Sequence, residues 1–157
     1  MQTGLRLAVA AVVTMVASQP ALACRVTNEL HLPDVKNADV VVVGRISEYE
    51  VIRDKGYYAR LTVRVEEALI GDVKQTFTAR WDNSTFALPD EMGQGRFLIA
   101  LRAPSPETSA NATMPKIFHH NPDLMTVLQS PCSPAFIFEI ASDEARITRD
   151  ILALDQK

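Results

Sequence analysis

Two adjacent histidines are the residues in this chain that most suggest catalytic or metal chemistry. His119 and His120 would point to opposite faces of a strand, so one metal ion rarely binds both. A metal site also needs further ligands at suitable geometry. His31 and Asp123 could supply them, but nothing in their spacing requires it. We therefore expect no metal site and no cofactor.

Residues 82–85 read Asp-Asn-Ser-Thr and place a carboxylate beside two hydroxyl groups. Asp, Asn and Ser are also the residues that favour turns, and a turn is the expected role here. The sequence contains no GxSxG, HExxH, P-loop or CxxC pattern. We expect a protein that is not an enzyme. A small metal-dependent hydrolase using His119 or His120 is the alternative.

The chain has two cysteines, Cys24 and Cys132. In an oxidising compartment, an even number of cysteines in a small domain indicates a disulfide, and two cysteines allow only one intramolecular pair. The alternatives are two free thiols, or a lipid-modified Cys24 with an unpaired Cys132. A catalytic cysteine is not expected, because neither one has a histidine or an acid in a recognisable context.

The N-terminus indicates where the protein resides. Arg6 precedes an apolar run over residues 7–17, and small residues stand just before Cys24, which is the pattern of a secretory signal peptide. The run is shorter than the roughly 20 residues that a membrane-spanning helix needs. We expect removal of residues 1–23 and a periplasmic or secreted protein. The alternative is an envelope lipoprotein, of structural or assembly type, anchored through Cys24.

Length and charge limit the possible classes of protein. A chain of 157 residues predicts one domain. The net charge is −3, and removal of residues 1–23, which hold one arginine and no acid, makes it more negative. This charge argues against a surface that binds nucleic acid.

The order of expected elements is mostly β. Residues 57–69 and 74–81 alternate apolar and polar residues, which indicates strands with one solvent-facing side. Residues 96–102 are apolar on both faces, which favours the centre of a sheet. Gly44 suggests a bulge in the first strand. The expected strands are 38–52, 57–69, 74–81, 96–102 and 135–140, with short pieces at 116–119 and 125–128.

Residues 25–37 predict an irregular lead-in or a short helical turn, and the proline-rich stretch 103–134 predicts a long irregular connection. Residues 142–157 favour a helix, because Ser142 can cap it and acids follow in the first turn. A hairpin is the alternative for this segment. The expected apolar face of the helix consists of Ile147, Ile151 and Leu154.

Five or so short antiparallel strands with one long connection predict a small, closed, OB-like β-barrel. The barrel is expected over residues 24–141. The C-terminal helix, over 142–157, is expected to pack on it or beside it.

Three short stretches then suggest a family. Residues 38–45 (ADVVVVGR), 66–72 (EEALIGD) and 95–100 (GRFLIA), with one cysteine at the expected mature N-terminus and a later one, resemble the netrin-like domain of the tissue inhibitors of metalloproteinases and their small secreted bacterial relatives. The resemblance covers roughly residues 24–132. It implies an OB barrel and a protein partner.

In those inhibitors the amino group and carbonyl of the N-terminal cysteine chelate the zinc of the target enzyme. The resemblance implies that only Cys24 could take this role here, and only with exact cleavage and an unmodified amino group. The animal inhibitors begin Cys-x-Cys and carry many disulfides, whereas Arg25 and Val26 follow Cys24 in this chain.

Aromatic and guanidinium side chains on the middle strands suggest a binding face, because OB barrels often bind ligands there. The residues that could form it are Tyr49, Tyr57, Tyr58, Arg60, Arg64, Arg80 and Trp81. The alternative is that Trp81 lies in the core and that Arg64 and Arg80 form cross-strand charge pairs with Glu66 or Glu67.

We expect a protein partner in the envelope or outside the cell, which the chain binds or inhibits. We expect no nucleic acid, and a membrane only if Cys24 is lipidated. The candidate partner-binding residues are Cys24, Arg25, Tyr57, Tyr58, Arg64 and Arg80.

Overall fold

Strands dominate the part of the chain that the computed structural model describes, which is residues 28–53, 57–82, 88–104, 123–130 and 132–155. The elements are a 3₁₀-helix at Leu32–Asn37, β1 at Val40–Ile52, β2 at Tyr58–Ile70, β3 at Thr76–Asp82, β4 at Phe97–Arg102, β5 at Met125–Val127, β6 at Ile137–Glu139 and α1 at Asp143–Asp155. The short strand expected at 116–119 lies outside the described residues.

Five of the strands close into a barrel. They pair in the order β1, β2, β3, β5, β4, and β4 pairs again with β1. β6 lies outside this ring, and among the strands that the structure describes it pairs with β4. The predicted OB-like barrel, mainly β with a C-terminal helix, is therefore confirmed.

One strand pair departs from the expected antiparallel arrangement. β3 and β5 run parallel, with Ala79 opposite Met125 and Arg80 opposite Thr126. Parallel strands need a long crossover connection, whereas short turns join antiparallel neighbours. Between β3 and β5 the chain passes through β4 and two long connections, which make this parallel pairing possible.

β1 closes the barrel because it pairs with both β2 and β4. Its first residues pair with β4, and it pairs with β2 along most of its length. The register with β2 shifts between Val43 and Gly44, as the glycine suggested. A Cβ atom at Gly44 would lie less than 3.0 Å from the backbone oxygen of Arg64, so this close approach of β1 and β2 requires glycine.

The barrel has two apolar clusters because β4 is apolar on both faces. Ile99 and Leu101 point into the barrel, where they pack with Leu61 and Val63 of β2. Leu98 points outward and belongs to a second cluster, which α1 covers. Burial on both faces is as predicted for residues 97–101, but the closed ring has no central strand, and β4 lies between β1 and β5.

The C-terminal helix forms as predicted, but of the predicted apolar face Ile147, Ile151 and Leu154, Ile151 alone packs against the second cluster. The Ser142 hydroxyl accepts a hydrogen bond from the N–H of Ala145 at 3.2 Å, which caps the helix. Ile147 is 38% exposed and Leu154 is 72% exposed. The buried residues are Ala145, Thr148 and Leu152. This stripe packs with Val35 of the 3₁₀-helix and Leu98 of β4 in the second cluster.

Candidate functional site

The outward-facing side chains of β1, β2 and β3 form one polar surface on the barrel. Side chains alternate along each strand, so the residues between those of the core point outward. The strand registers place Arg60 between Glu50 and Arg80, and Arg64 between Arg45 and Thr76. We call this surface the arginine face. It consists of Arg45, Glu48, Glu50, Arg60, Thr62, Arg64, Thr76, Thr78 and Arg80.

Both glutamates of the arginine face already have partners on β2. Arg60 Nη2 donates a hydrogen bond to Glu50 Oε2 at 2.5 Å, and Thr62 Oγ1 donates to Glu48 Oε2 at 2.9 Å. Exposed ion pairs of this kind contribute only about 0–1 kcal/mol to folding. These contacts therefore fix the positions of the side chains more than they stabilise the barrel.

Arg80 is part of the arginine face but is not available to a partner in this structure. Its side chain is 9% exposed, and Nε lies 2.8 Å from Asp82 Oδ1. Nη2 donates to Thr126 Oγ1 at 3.2 Å, which joins β3 to β5. Tyr58, which stands opposite Asp82, is also buried. Two of the candidate partner-binding residues are therefore buried on this face.

Arg64, in contrast, is exposed and faces an open cleft. Within the described parts of the chain its guanidinium makes no hydrogen bond and no ion pair. The cleft has a volume of about 520 Å³. Its lining residues are Arg45, Arg64, Val65, Glu66 and Gln75. A backbone hydrogen bond of 2.8 Å from Val65 N–H to the carbonyl of Gln75 holds one wall in place.

Glu66 is shared by two arginines at the edge of this cleft. Arg96 Nε donates to one carboxylate oxygen at 2.5 Å, and Arg45 Nε donates to the other at 3.0 Å. The hydrogen bond from Arg96 is the main reason that the pKa of Glu66 lies below its ordinary value of 4.5, while partial desolvation opposes it. Two guanidinium groups and one carboxylate leave this wall positive.

The aromatic candidates divide between the core and the surface. Tyr49 and Trp81 pack against the barrel interior. The Tyr49 hydroxyl donates to the carbonyl of Pro89 at 2.7 Å, and burial is the main cause that raises the pKa of Tyr49 to about 12. Tyr57 is 39% exposed, and the guanidinium of Arg53 lies 5.6 Å from its ring centroid. Tyr57 is thus accessible, but it lies near Tyr49, just before β2, and not on the arginine face.

The charge pairs that the sequence suggested for Arg64 and Arg80 are wrong. Arg64 and Glu66 lie on the same strand, so they cannot be cross-strand partners. Glu67 instead accepts two hydrogen bonds, of 2.9 and 3.0 Å, from Arg149 of α1. Arg149 lowers the pKa of Glu67 through these bonds, against some desolvation.

Sequence reasoning missed Arg45 and Arg96. Arg45 could have been found, because a charged residue within the predicted strand 38–52 has to face solvent or a partner. Arg96 precedes β4, and no pattern in the sequence brings it to Glu66. Of the other candidates, Cys24, Arg25, His119 and His120 lie outside the described residues.

Neither a cluster of metal ligands nor a membrane-spanning helix is found among the described residues. No three histidine, cysteine, aspartate or glutamate side chains come together there in a way that could hold a metal ion. No helix there combines the length and the apolar character that a membrane crossing requires. A scan against protein-family models gives no match, and neither does a search of curated proteins. The candidate site therefore rests on its geometry.

Proposed function

We propose that this protein is an exported binding module, not an enzyme, and that its arginine face binds a protein partner in the periplasm or outside the cell. The observation that carries the proposal is the exposed guanidinium of Arg64, which faces a positive cleft without a partner among the described residues. A guanidinium presents a planar set of donors that matches a carboxylate in two parallel hydrogen bonds. An Asp, a Glu or a C-terminal carboxylate of the partner fits between Arg64 and Arg45.

The distribution of charge supports an acidic partner surface. The chain as a whole carries a net charge of −3, yet at the cleft Arg45, Arg64 and Arg96 accompany the single carboxylate of Glu66. A positive cleft on an acidic protein orients the molecule toward negative surfaces and speeds the correct encounter. Because Glu66 already occupies one edge of Arg45, Arg64 is the residue that we expect to dominate recognition.

One carboxylate is not sufficient for a stable complex. A hydrogen bond to a charged group contributes about 1.5–3 kcal/mol, which alone gives an affinity weaker than millimolar. The remaining energy would come from the surface around Arg64. Thr62 on β2, with Thr76 and Thr78 on the neighbouring β3, offer hydroxyl groups there.

The proposal includes export and a disulfide between Cys24 and Cys132. The N–H of Asn28 donates to the carbonyl of Cys132 at 2.8 Å, so the chain only four residues after Cys24 already touches Cys132. Four residues span up to about 13 Å, which is ample for a disulfide whose Cα atoms lie about 6 Å apart. Cys132 itself has φ of 63°, an uncommon backbone for a residue other than glycine.

The intact mass of the exported protein tests this part. A mass equal to residues 24–157 less two hydrogens supports cleavage before Cys24 and the disulfide. An added mass of lipid, with retention in the membrane fraction, would still mean cleavage before Cys24, but it would overturn the disulfide, because the lipid occupies the Cys24 thiol, and it would support the lipoprotein. The mass also decides whether Cys24 keeps the free amino group that inhibition of a zinc protease, the role implied by the netrin-like resemblance, would need.

Comparison of two charge reversals tests the binding itself. Arg64→Glu reverses the exposed cation of the cleft, and Arg146→Glu makes the same change on α1, where the side chain is 64% exposed. We expect immobilised wild type and Arg146→Glu to retain one defined partner that Arg64→Glu does not retain. Retention of the same proteins by all three would contradict the proposal, provided that circular dichroism shows both variants folded.

A further inference from the structure

We propose a second binding site, on the other side of the barrel, where the free edge of β6 and the apolar groove beside it bind an extended, basic segment of a partner protein. The proposal goes beyond the arginine face, because the two surfaces share no residue and have opposite charge. It rests on unpaired backbone groups of β6, on the groove, and on acidic residues at its rim.

The pairing with β4 determines which edge of β6 is free. The carbonyl of Phe136 accepts from Ala100 N–H at 3.0 Å, and the N–H of Ile140 donates to Arg96 at 2.9 Å. In an antiparallel ladder, residues between two hydrogen-bonded pairs direct their backbone groups to the opposite edge. Ile137 and Glu139 therefore point away from β4.

Two backbone groups on that edge have no partner among the described residues. The N–H of Ile137 donates to Ala135 at 2.9 Å, and the carbonyl of Glu139 accepts from Ser142 N–H at 2.9 Å. The carbonyl of Ile137 and the N–H of Glu139 remain. An acceptor and a donor two residues apart on one edge are the groups with which an added strand pairs.

A groove of about 510 Å³ lies against this edge. Its volume accommodates one or two apolar side chains of a bound strand, and Ile147, 38% exposed, forms part of its wall. Its apolar lining includes Leu30, Leu32 and Ala135, together with Ile137 of β6. An occupant with an apolar side chain would remove this surface from water.

The rim of the groove is acidic, which indicates the charge of the occupant. Asp143 and Glu144 open α1, and the side chain of Asp143 is 84% exposed. Arg146 approaches Asp143 at 3.2 Å, whereas Glu144 forms no ion pair within the described residues. A lysine or arginine next to the apolar side chain of the bound segment would therefore face Glu144.

A blocked peptide of alternating residues, Lys-Ile-Lys-Ile-Lys, is the probe that we choose, with amide hydrogen exchange as the readout. In the free protein the N–H of Glu139 should exchange fast, and saturating peptide should slow it. The same peptide methylated on its central backbone nitrogens keeps its side chains, but these nitrogens can no longer donate hydrogen bonds. We expect the methylated peptide to bind at least about fivefold more weakly, because one or more hydrogen bonds are lost.

Two variants of α1 test the rim without disturbing the core. Glu144→Lys should lower the affinity for the peptide about two- to fivefold, as expected for the loss of an exposed charge pair. Leu154→Ser, at a position 72% exposed and outside the groove, should leave the affinity unchanged.

Other occupants give different results, and each would overturn the proposal. A Glu139 amide already protected in the dilute free protein would mean that a segment of this chain covers the edge. Protection that increases with protein concentration alone would mean a second copy. Equal binding of the methylated peptide, or no slowing of Glu139 at any peptide concentration, would mean that β6 adds no strand.

Discussion

Replacing Gly44 by alanine should destabilise the barrel at the point where β1 passes from β4 to β2. A Cβ atom there would lie less than 3.0 Å from the backbone oxygen of Arg64 and 3.2 Å from Val63 Cγ1. Neither atom can move without a cost in free energy, because Val63 is fully buried and the backbone of Arg64 belongs to the β1–β2 ladder. The two strands must therefore separate.

The size of the effect follows from this crowding. Overpacking of a well-packed site costs about 1–3 kcal/mol. For a domain of this size, a loss of 1 kcal/mol lowers the midpoint of thermal unfolding by roughly 4 °C. We expect a midpoint lower by roughly 4–12 °C, measured by circular dichroism. Because the displaced backbone is that of Arg64, binding of a partner to the arginine face should weaken as well.

Gly95→Ala is the matched control for this change. No atom lies within 4 Å of a Cβ built at Gly95, and the residue is exposed. Its free energy of unfolding should stay within about 0.5 kcal/mol of wild type. A Gly44→Ala variant as stable as Gly95→Ala would refute the claim that β1 and β2 approach too closely for a side chain.

Three further changes test individual contacts. The pKa of Tyr49 is raised from 10.0 to about 12. The contribution of Tyr49 to stability is therefore complete below pH 10 and is lost as the pH rises through 12. An ultraviolet titration of wild type and of Tyr49→Phe should show one late-titrating tyrosine fewer in the variant. The pKa values of Glu66 and Glu67 are lowered, so their contribution is present above pH 4.5 and is lost as the pH falls below it. The midpoint of urea unfolding should therefore fall less steeply with acid in Glu66→Gln, and an unchanged slope would count against the shared carboxylate. Thr148→Val removes a buried hydroxyl that has no hydrogen-bond partner among the described residues. We expect the free energy of unfolding of the variant to equal that of wild type or to exceed it by up to about 1 kcal/mol. A clear loss of stability would mean that the hydroxyl forms a hydrogen bond.

The strands could be predicted from the sequence because one face of each packs in the barrel core while the other faces water. Val63 and Phe77 face each other inside the barrel, between polar residues that face water, and this contrast produces the period of two. β4 lacks this contrast because both of its faces are buried. Its continuous run of apolar residues indicated that burial.

Strand direction and helix rotation could not be predicted in the same way. Alternation is identical for parallel and antiparallel strands, so nothing near Met125 revealed that β5 runs along β3. On α1, the large residues Ile147 and Leu154 suggested the apolar face, but the buried stripe consists of Ala145, Thr148 and Leu152. The size of the apolar side chains therefore does not determine which stripe of a helix is buried.

The candidate site could be predicted only in outline. Strand alternation placed Arg64 on the solvent-facing side of β2, where the structure has it. It could not show that Arg80 is buried beside Asp82, or that Arg96 comes to Glu66 from outside any strand. Such contacts depend on where connections between strands return, and local sequence patterns carry no such information.

Photo-cross-linking in living cells is the measurement that tests the arginine face most directly. A photoreactive amino acid in place of Thr62 sits at the centre of the face, and one in place of Leu154 sits on the exposed side of α1. We predict one discrete cross-linked adduct from position 62, none of that mass from position 154, and loss of the adduct when Arg64→Glu is added. The same adduct from both positions, or an adduct from position 62 that survives Arg64→Glu, would contradict recognition through the arginine face.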